Sequence, residues 1–276
     1  MVAEAELQLA RLSKMGDSLE KINASIEWEI FRGPIQRRIR KPNSGKGGRP
    51  PWDEILMFKT VLLQDWNNLS DENTEYMIND RLTFQRFLGL TLGEKAPDEK
   101  TIWLFKEQIG REGMRELFET FNRRLQGIGM VKREGSLVDA SFVDVMRQRN
   151  SRAENATIKA GEIPEEWTKE NPKTLHKVSQ KDTEALWAKK GNELHYGYKD
   201  HVKVDKDSKI IVDFSLTSAN VHDVNEFEGL IDINDKEAWL DSAYASEEHV
   251  AAIMKKYPGI ILHICEKGKR NAPLTE

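Results

Sequence analysis

A single cysteine, Cys265, excludes an internal disulfide, and a reducing compartment is the natural setting. It lies in the apolar run 259–266, which predicts a strand with the thiol taken up in packing. Long hydrophobic runs are missing too. Gly259-Ile260-Ile261-Leu262 falls far short of the roughly 20 residues that cross a bilayer, so no membrane role is expected. The opening MVAEAELQLARLSK has early acids and no apolar core of a secretion signal. His195, His201, His222 and His263 have no Cys or second His at a zinc spacing. There is no G-x-S-x-G elbow, and Gly45-Lys46-Gly47-Gly48 lacks the spacing of a phosphate-cradling nucleotide loop. A net positive charge is also absent: the formal value over 276 residues is -4.

What is present is a well-charged, water-compatible composition, with 38% hydrophobic and 32% charged residues, long enough for one large or two ordinary domains. The net charge conceals its distribution. Arg32, Arg37, Arg38, Arg40, Lys41, Lys46 and Arg49 follow one another without an acid between them. Such a cluster suits either phosphate neutralisation or a solvated basic loop.

Residues 1–130 read as helical. Leu7, Leu12, Leu19, Ile22, Ile26 and Ile30 recur near helical spacing, and Gly33-Pro34 predicts a break. After the Gly- and Pro-rich connector 41–51, a strongly apolar helix runs from Asp53 to Trp66. Ser70 and Asp98 are candidate caps for later helices, Gly110 interrupts the last of them, and the aromatic residues of this half read as core.

Residues 131–276 change period. A short strand around Asp139 precedes a polar, nearly strandless insertion at about 144–193. Strands 196–204 and 209–217 follow, joined by the turn Asp205-Lys206-Asp207-Ser208, then a helix at 225–231, the strand Ala238-Trp239-Leu240, a helix at 246–256 and a last strand. An all-helical N-terminal domain followed by a mixed sheet in this element order predicts an α+β or α/β protein with a ribonuclease-H-like second domain. Its first and fourth strands are then neighbours, which brings Asp139 and Asp241 towards one point. Asp241 alone reads as a turn residue. Two aspartates, each set in a short apolar strand, instead call for a cation to hold them.

Several stretches together resemble the DDE transposases of bacterial insertion sequences, in particular the insertion-sequence-five group. They are Gly48-Arg49-Pro50-Pro51-Trp52, Leu62-Leu63-Gln64, Asn68-Leu69-Ser70-Asp71, residues 80–90, Pro97-Asp98-Glu99-Lys100-Thr101-Ile102, Val138-Asp139-Ala140, Lys189-Lys190-Gly191-Asn192, Tyr196-Gly197-Tyr198-Lys199, Ala219-Asn220-Val221-His222-Asp223 and Leu240-Asp241-Ser242-Ala243-Tyr244. The resemblance implies metal-dependent cleavage and strand transfer at terminal inverted repeats. Asp139 and Asp241 would be catalytic and hold Mg²⁺ or Mn²⁺, while the acid-free basic cluster supplies Arg37, Arg38, Arg40, Lys46 and Arg49 as the expected DNA contacts. The resemblance further implies double-stranded DNA as partner, a homodimer, and a bacterial cytoplasmic protein associated with the nucleoid when bound. The family carries a third acid, a Glu on a helix after the last strand. This chain reaches Glu276 before such a helix, so the catalytic domain is expected to lack it. A fragment that binds DNA or intact transposase without cutting is the alternative.

Overall fold

The computed structural model describes residues 2–39, 50–91, 93–132, 134–167 and 181–266. The predicted phosphate contacts Arg40, Lys46 and Arg49, and the end of the chain, on which the expectation about the third acid bears, lie outside these residues. Contacts divide the chain into two units, Met1–Arg124 and Leu125–Glu276.

The first unit is helical: α1 Val2–Met15, α2 Ser18–Ser25, a 3₁₀ turn Trp28–Phe31, α3 Arg32–Arg38, α4 Glu54–Trp66, α5 Asp71–Asp80, α6 Leu82–Leu88 and α7 Glu99–Gly127. Side-chain caps start these helices where the sequence offers them. Asp53 accepts from Ile55 N (2.9 Å) and Leu56 N (3.1 Å), Ser70 from Asn73 N (3.2 Å), and Asp98 from Thr101 N (2.8 Å). Gly110 interrupts α7 with φ 59°. Trp28, Phe31, Phe58, Leu63, Phe87 and Ile102 centre the core, Lys59 lying over the Trp28 ring.

Two expectations need correcting here. Gly33-Pro34 does not break the chain, because α3 runs through it. Pro34 is the third residue of the helix, where a backbone N–H has no intrahelical acceptor to lose. The aromatics are not all core: Trp66, Tyr76 and Trp103 are 48%, 65% and 53% exposed. On α7 the buried face is set by Ile102, Phe105 and Ile109, and Trp103 is turned about 100° from it.

The second unit carries a six-stranded mixed sheet: β1 Gly135–Asp144, β2 Leu186–Lys190, β3 Glu193–Asp205, β4 Ile211–Ser218, β5 Glu237–Leu240 and β6 Ile261–Ile264. Between them lie α8 Arg152–Lys159, α9 Asp223–Leu230 and α10 Glu247–Lys256. β1 pairs antiparallel with β3 and parallel with β5, which pairs parallel with β6. β3 also pairs with β4, while its first residues pair with β2. Leaving β2 aside, the order β4-β3-β1-β5-β6 fits a ribonuclease-H-like sheet. The insertion is less bare than its polarity suggests. β2 closes a two-residue hairpin through Gly191, at φ 61°, and Asn192, while α8 starts on a Ser151–Glu154 capping box.

One face of the sheet carries the apolar core, with Val138, Ala238 and Leu240 packed against Phe227 and Leu230 of α9, Ile253 of α10, and Tyr244. The same alternation buries a row of polar residues on β3. Lys199 Nζ bonds Asp223 (2.7 Å) and the Val221 carbonyl (2.6 Å). His201 Nε2 meets Thr217 Oγ1 at 2.9 Å. Lys203 Nζ meets Asp235 (2.6 Å) and Asp232 (2.9 Å), and Asp235 also accepts from the Ser136 hydroxyl. Cations on β3 thus hold carboxylates at both ends of α9.

Candidate active site

The alternation that buries Val138 and Leu240 also determines where the two aspartates go. These residues form the last register pair between β1 and β5, and both are buried. The next residue on each strand, Asp139 and Asp241, is exposed. Neighbouring strands lie about 4.8 Å apart, so the two carboxylates leave the carboxyl edge of the parallel pair side by side. Backbone donors orient each of them. Asp139 Oδ1 accepts from Ala140 N (2.8 Å), and Asp241 Oδ1 accepts from Ala243 N (2.8 Å), capping the 3₁₀ turn Ser242–Tyr244. The turn role that Asp241 suggests in sequence is therefore real, and it coexists with a place in a shared cleft.

That cleft has a volume of about 850 Å³ and is lined by both aspartates together with Ser141, Lys190, His195 and Cys265. The Phe142 and His195 rings stack at 4.0 Å, and Nδ1 of His195 lies 3.3 Å from Asp144. Beneath the pair, Tyr244 is fully buried against Phe227, with ring centroids 5.7 Å apart. Burial, followed by the negative charges of Asp223, Asp139 and Asp241, pushes its phenol up from the ordinary value and keeps it neutral.

The predicted burial of Cys265 is incorrect: the thiol is exposed. It is in phase with Ile261 and His263, the outward residues of β6, and period-two alternation was the signal that placed it. Lys190 escapes a sequence reading as a site residue because β2 is hidden in the insertion, whereas Phe142 on β1 and His195 on β3 reach the cleft through the β1–β3 pairing, which no local pattern shows. The predicted DNA contacts that are described, Arg37 and Arg38, are ion-paired on the first unit. Arg37 binds Glu116, and Arg38 binds Glu112 (2.9 Å) and Glu116 (3.4 Å).

Two adjacent carboxylates form an all-oxygen donor set, which fits a hard divalent cation that keeps most of its water. Among the described residues no group of three His, Cys, Asp or Glu side chains forms a metal cage. A family model described as a transposase DDE domain matches residues 131–275, and one described as a transposase domain (DUF772) matches residues 7–108. The chain belongs to the DDE transposase domain family. Both aspartates fall within the DDE match, and the helical unit carries the other. Among solved structures, the piggyBac transposase in a cryo-EM synaptic complex with hairpin DNA is 14% identical, with a TM-score of 0.35, over 92% of this chain and 50% of that chain. The chain thus spans half the length of that relative. No helix among the described residues is long and apolar enough to cross a membrane.

Proposed function

We propose that this chain is a DNA transposase of the insertion-sequence-five group, cutting at the terminal inverted repeats of its element and joining the freed ends to target DNA. The observation that carries the reading is the register of β1 and β5, which sets Asp139 and Asp241 next to each other in one open cleft. Asp139 and Asp241 hold Mg²⁺ or Mn²⁺. When bound, the divalent ion supplies charge neutralisation at the scissile phosphate and a more acidic attacking water or hydroxyl. The chain's own part is placement. The Ala140 and Ala243 amides each fix one oxygen of a carboxylate. The Lys199–Asp223 pair ties the start of α9 to β3, and Phe227 of α9 in turn supports the Tyr244 turn behind Asp241.

In this reading residues 1–130 form a domain that binds DNA ends or dimerises, and 131–276 form the catalytic domain. Arg37, Arg38, Arg40, Lys46 and Arg49 supply phosphate contacts to double-stranded DNA, and the protein acts as a homodimer at the bacterial nucleoid. The test is nicking of a labelled terminal repeat in Mg²⁺ or Mn²⁺. Asp139→Asn and Asp241→Asn should each abolish nicking and leave DNA binding intact, and nicking that survives either change would remove the assignment.

A further inference from the structure

A second hollow, of about 370 Å³, opens beside the carboxylate cleft and shares Ala140, Phe142 and Lys190 with it. Its floor is Lys199 and Asp223, and its rim is β2, with Trp187, Lys189 and Lys190. Trp187 is 42% exposed, with the Arg147 guanidinium 5.1 Å from its ring centroid. Lys190 and Lys199 both lie over the Phe142 ring, at 5.9 Å and 5.1 Å. The hollow continues at Trp187 and Asn220 into a third, bordered by Lys159 and Asn150. Along this path Lys189, Lys190 and Lys159 are exposed cations, while Lys199 is already matched by Asp223.

Resting on the transposase reading, we propose that this groove is the channel for an unpaired DNA strand, leading from Asp139 and Asp241 over Phe142 and along β2. Lysines spaced along a groove neutralise successive phosphates of a backbone, and an exposed indole at its side gives a base a face on which to stack. A duplex keeps its bases stacked on each other and offers none to Trp187. The feature therefore selects a single-stranded stretch next to the cut site over an intact helix. The carboxylates need cation-neutralised phosphate beside them, and Lys190 of β2 is the lysine that lines both their cleft and the adjoining hollow.

The test is fluorescence anisotropy of the full chain, without divalent ion, on a labelled duplex that is either blunt or extended by a short single-stranded thymidine tail. The expected result is about tenfold tighter binding of the tailed duplex by the wild type, from one or two stacked bases. Trp187→Ala and the double change Lys189→Ala with Lys190→Ala should each bring the ratio close to one. Trp187→Phe should retain most of it, and unchanged far-ultraviolet circular dichroism shows that the variants fold. A wild-type ratio of one, a ratio that survives the changes, or an equal loss on both duplexes overturns the inference. A ratio of one in a chain that still binds and nicks DNA removes this channel alone, whereas failure to bind either duplex removes the transposase reading with it.

Discussion

Asp139 and Asp241 each follow one member of the Val138–Leu240 pair, the last rung between parallel strands β1 and β5, so burial of that rung turns both carboxylates into the same cleft. Metal binding should depend on both. Titration of the chain with Mn²⁺, followed by calorimetry, should show a loss of affinity for Asp139→Asn and for Asp241→Asn of about a hundredfold or more, at or above the roughly 10–100-fold cost of losing a supporting partner. Asp144→Asn, on the same strand but beside His195, should bind as the wild type does. Unchanged affinity in either of the first two would contradict the cation reading.

Arg37 and Arg38 share Glu116, which would compete with phosphate for them in the proposed DNA contact. Glu116→Gln removes that competitor. DNA affinity at low salt should rise a few-fold, and the dependence of log K on log salt should steepen by about one ion. A flat response would mark the two arginines as clamps between α3 and α7 with no part in DNA contact.

Burial pushes the His201 imidazole below its ordinary value. Lys199 acts in the same direction, while Asp223, Glu226 and Asp200 act against it. The unfolded chain then takes up a proton near pH ~6.5 that the folded chain refuses. This contribution to stability is complete above that pH and is lost as the pH falls through it, with a slope of at most about 1.4 kcal/mol per pH unit. Urea midpoints measured at about pH 7.5 and about pH 5.5 should therefore separate. His201→Gln, which keeps a polar group for Thr217, should narrow the gap, and an unchanged gap would assign the acid sensitivity elsewhere.

Lys203 and Asp235 are a fully buried ion pair. Lys203→Met strands the Asp235 charge and should cost about 3–5 kcal/mol in urea unfolding. Adding Asp235→Asn should recover a large part of that loss, because the neutral amide still accepts from Ser136 and is cheaper to bury. Additive losses in the double variant would show that the two groups act independently.

Gly197 has φ 145°, and a Cβ there would run into the Val143 carbonyl oxygen on β1. Gly197→Ala should lower stability by at least about 1–3 kcal/mol, because both the backbone conformation and the β1–β3 spacing oppose it. The loss should appear in thermal unfolding, and a variant as stable as the wild type would mean that β3 can pair without this close approach.

Much of this architecture could be read from one sequence. The change from helical to strand period near residue 130, the caps at Ser70 and Asp98, the turn at residues 205–208, Asp139 within an apolar strand and Asp241 at the end of one are all local signals. Local pattern failed where a neighbour decided the outcome. Pro34 continues a helix because it falls in the first turn. Tyr76 and Trp103 are aromatic yet exposed because other residues occupy the buried faces of their helices. β2 is strand because β3 extends past the end of β4 and offers it an edge on the side away from β1. Lys199, His201 and Lys203 look like surface residues in a list but are buried, since carboxylates and hydroxyls from α9, β4 and the loop after α9 reach them.

The order of residues by itself determined the elements and their chemistry, because capping, turn formation and apolar alternation act over a few positions of chain. Only the folded sheet decided that the two carboxylates share a cleft and which lysines are buried. Strand register is a pairing between distant segments, and one step along either strand would turn every side chain to the opposite face.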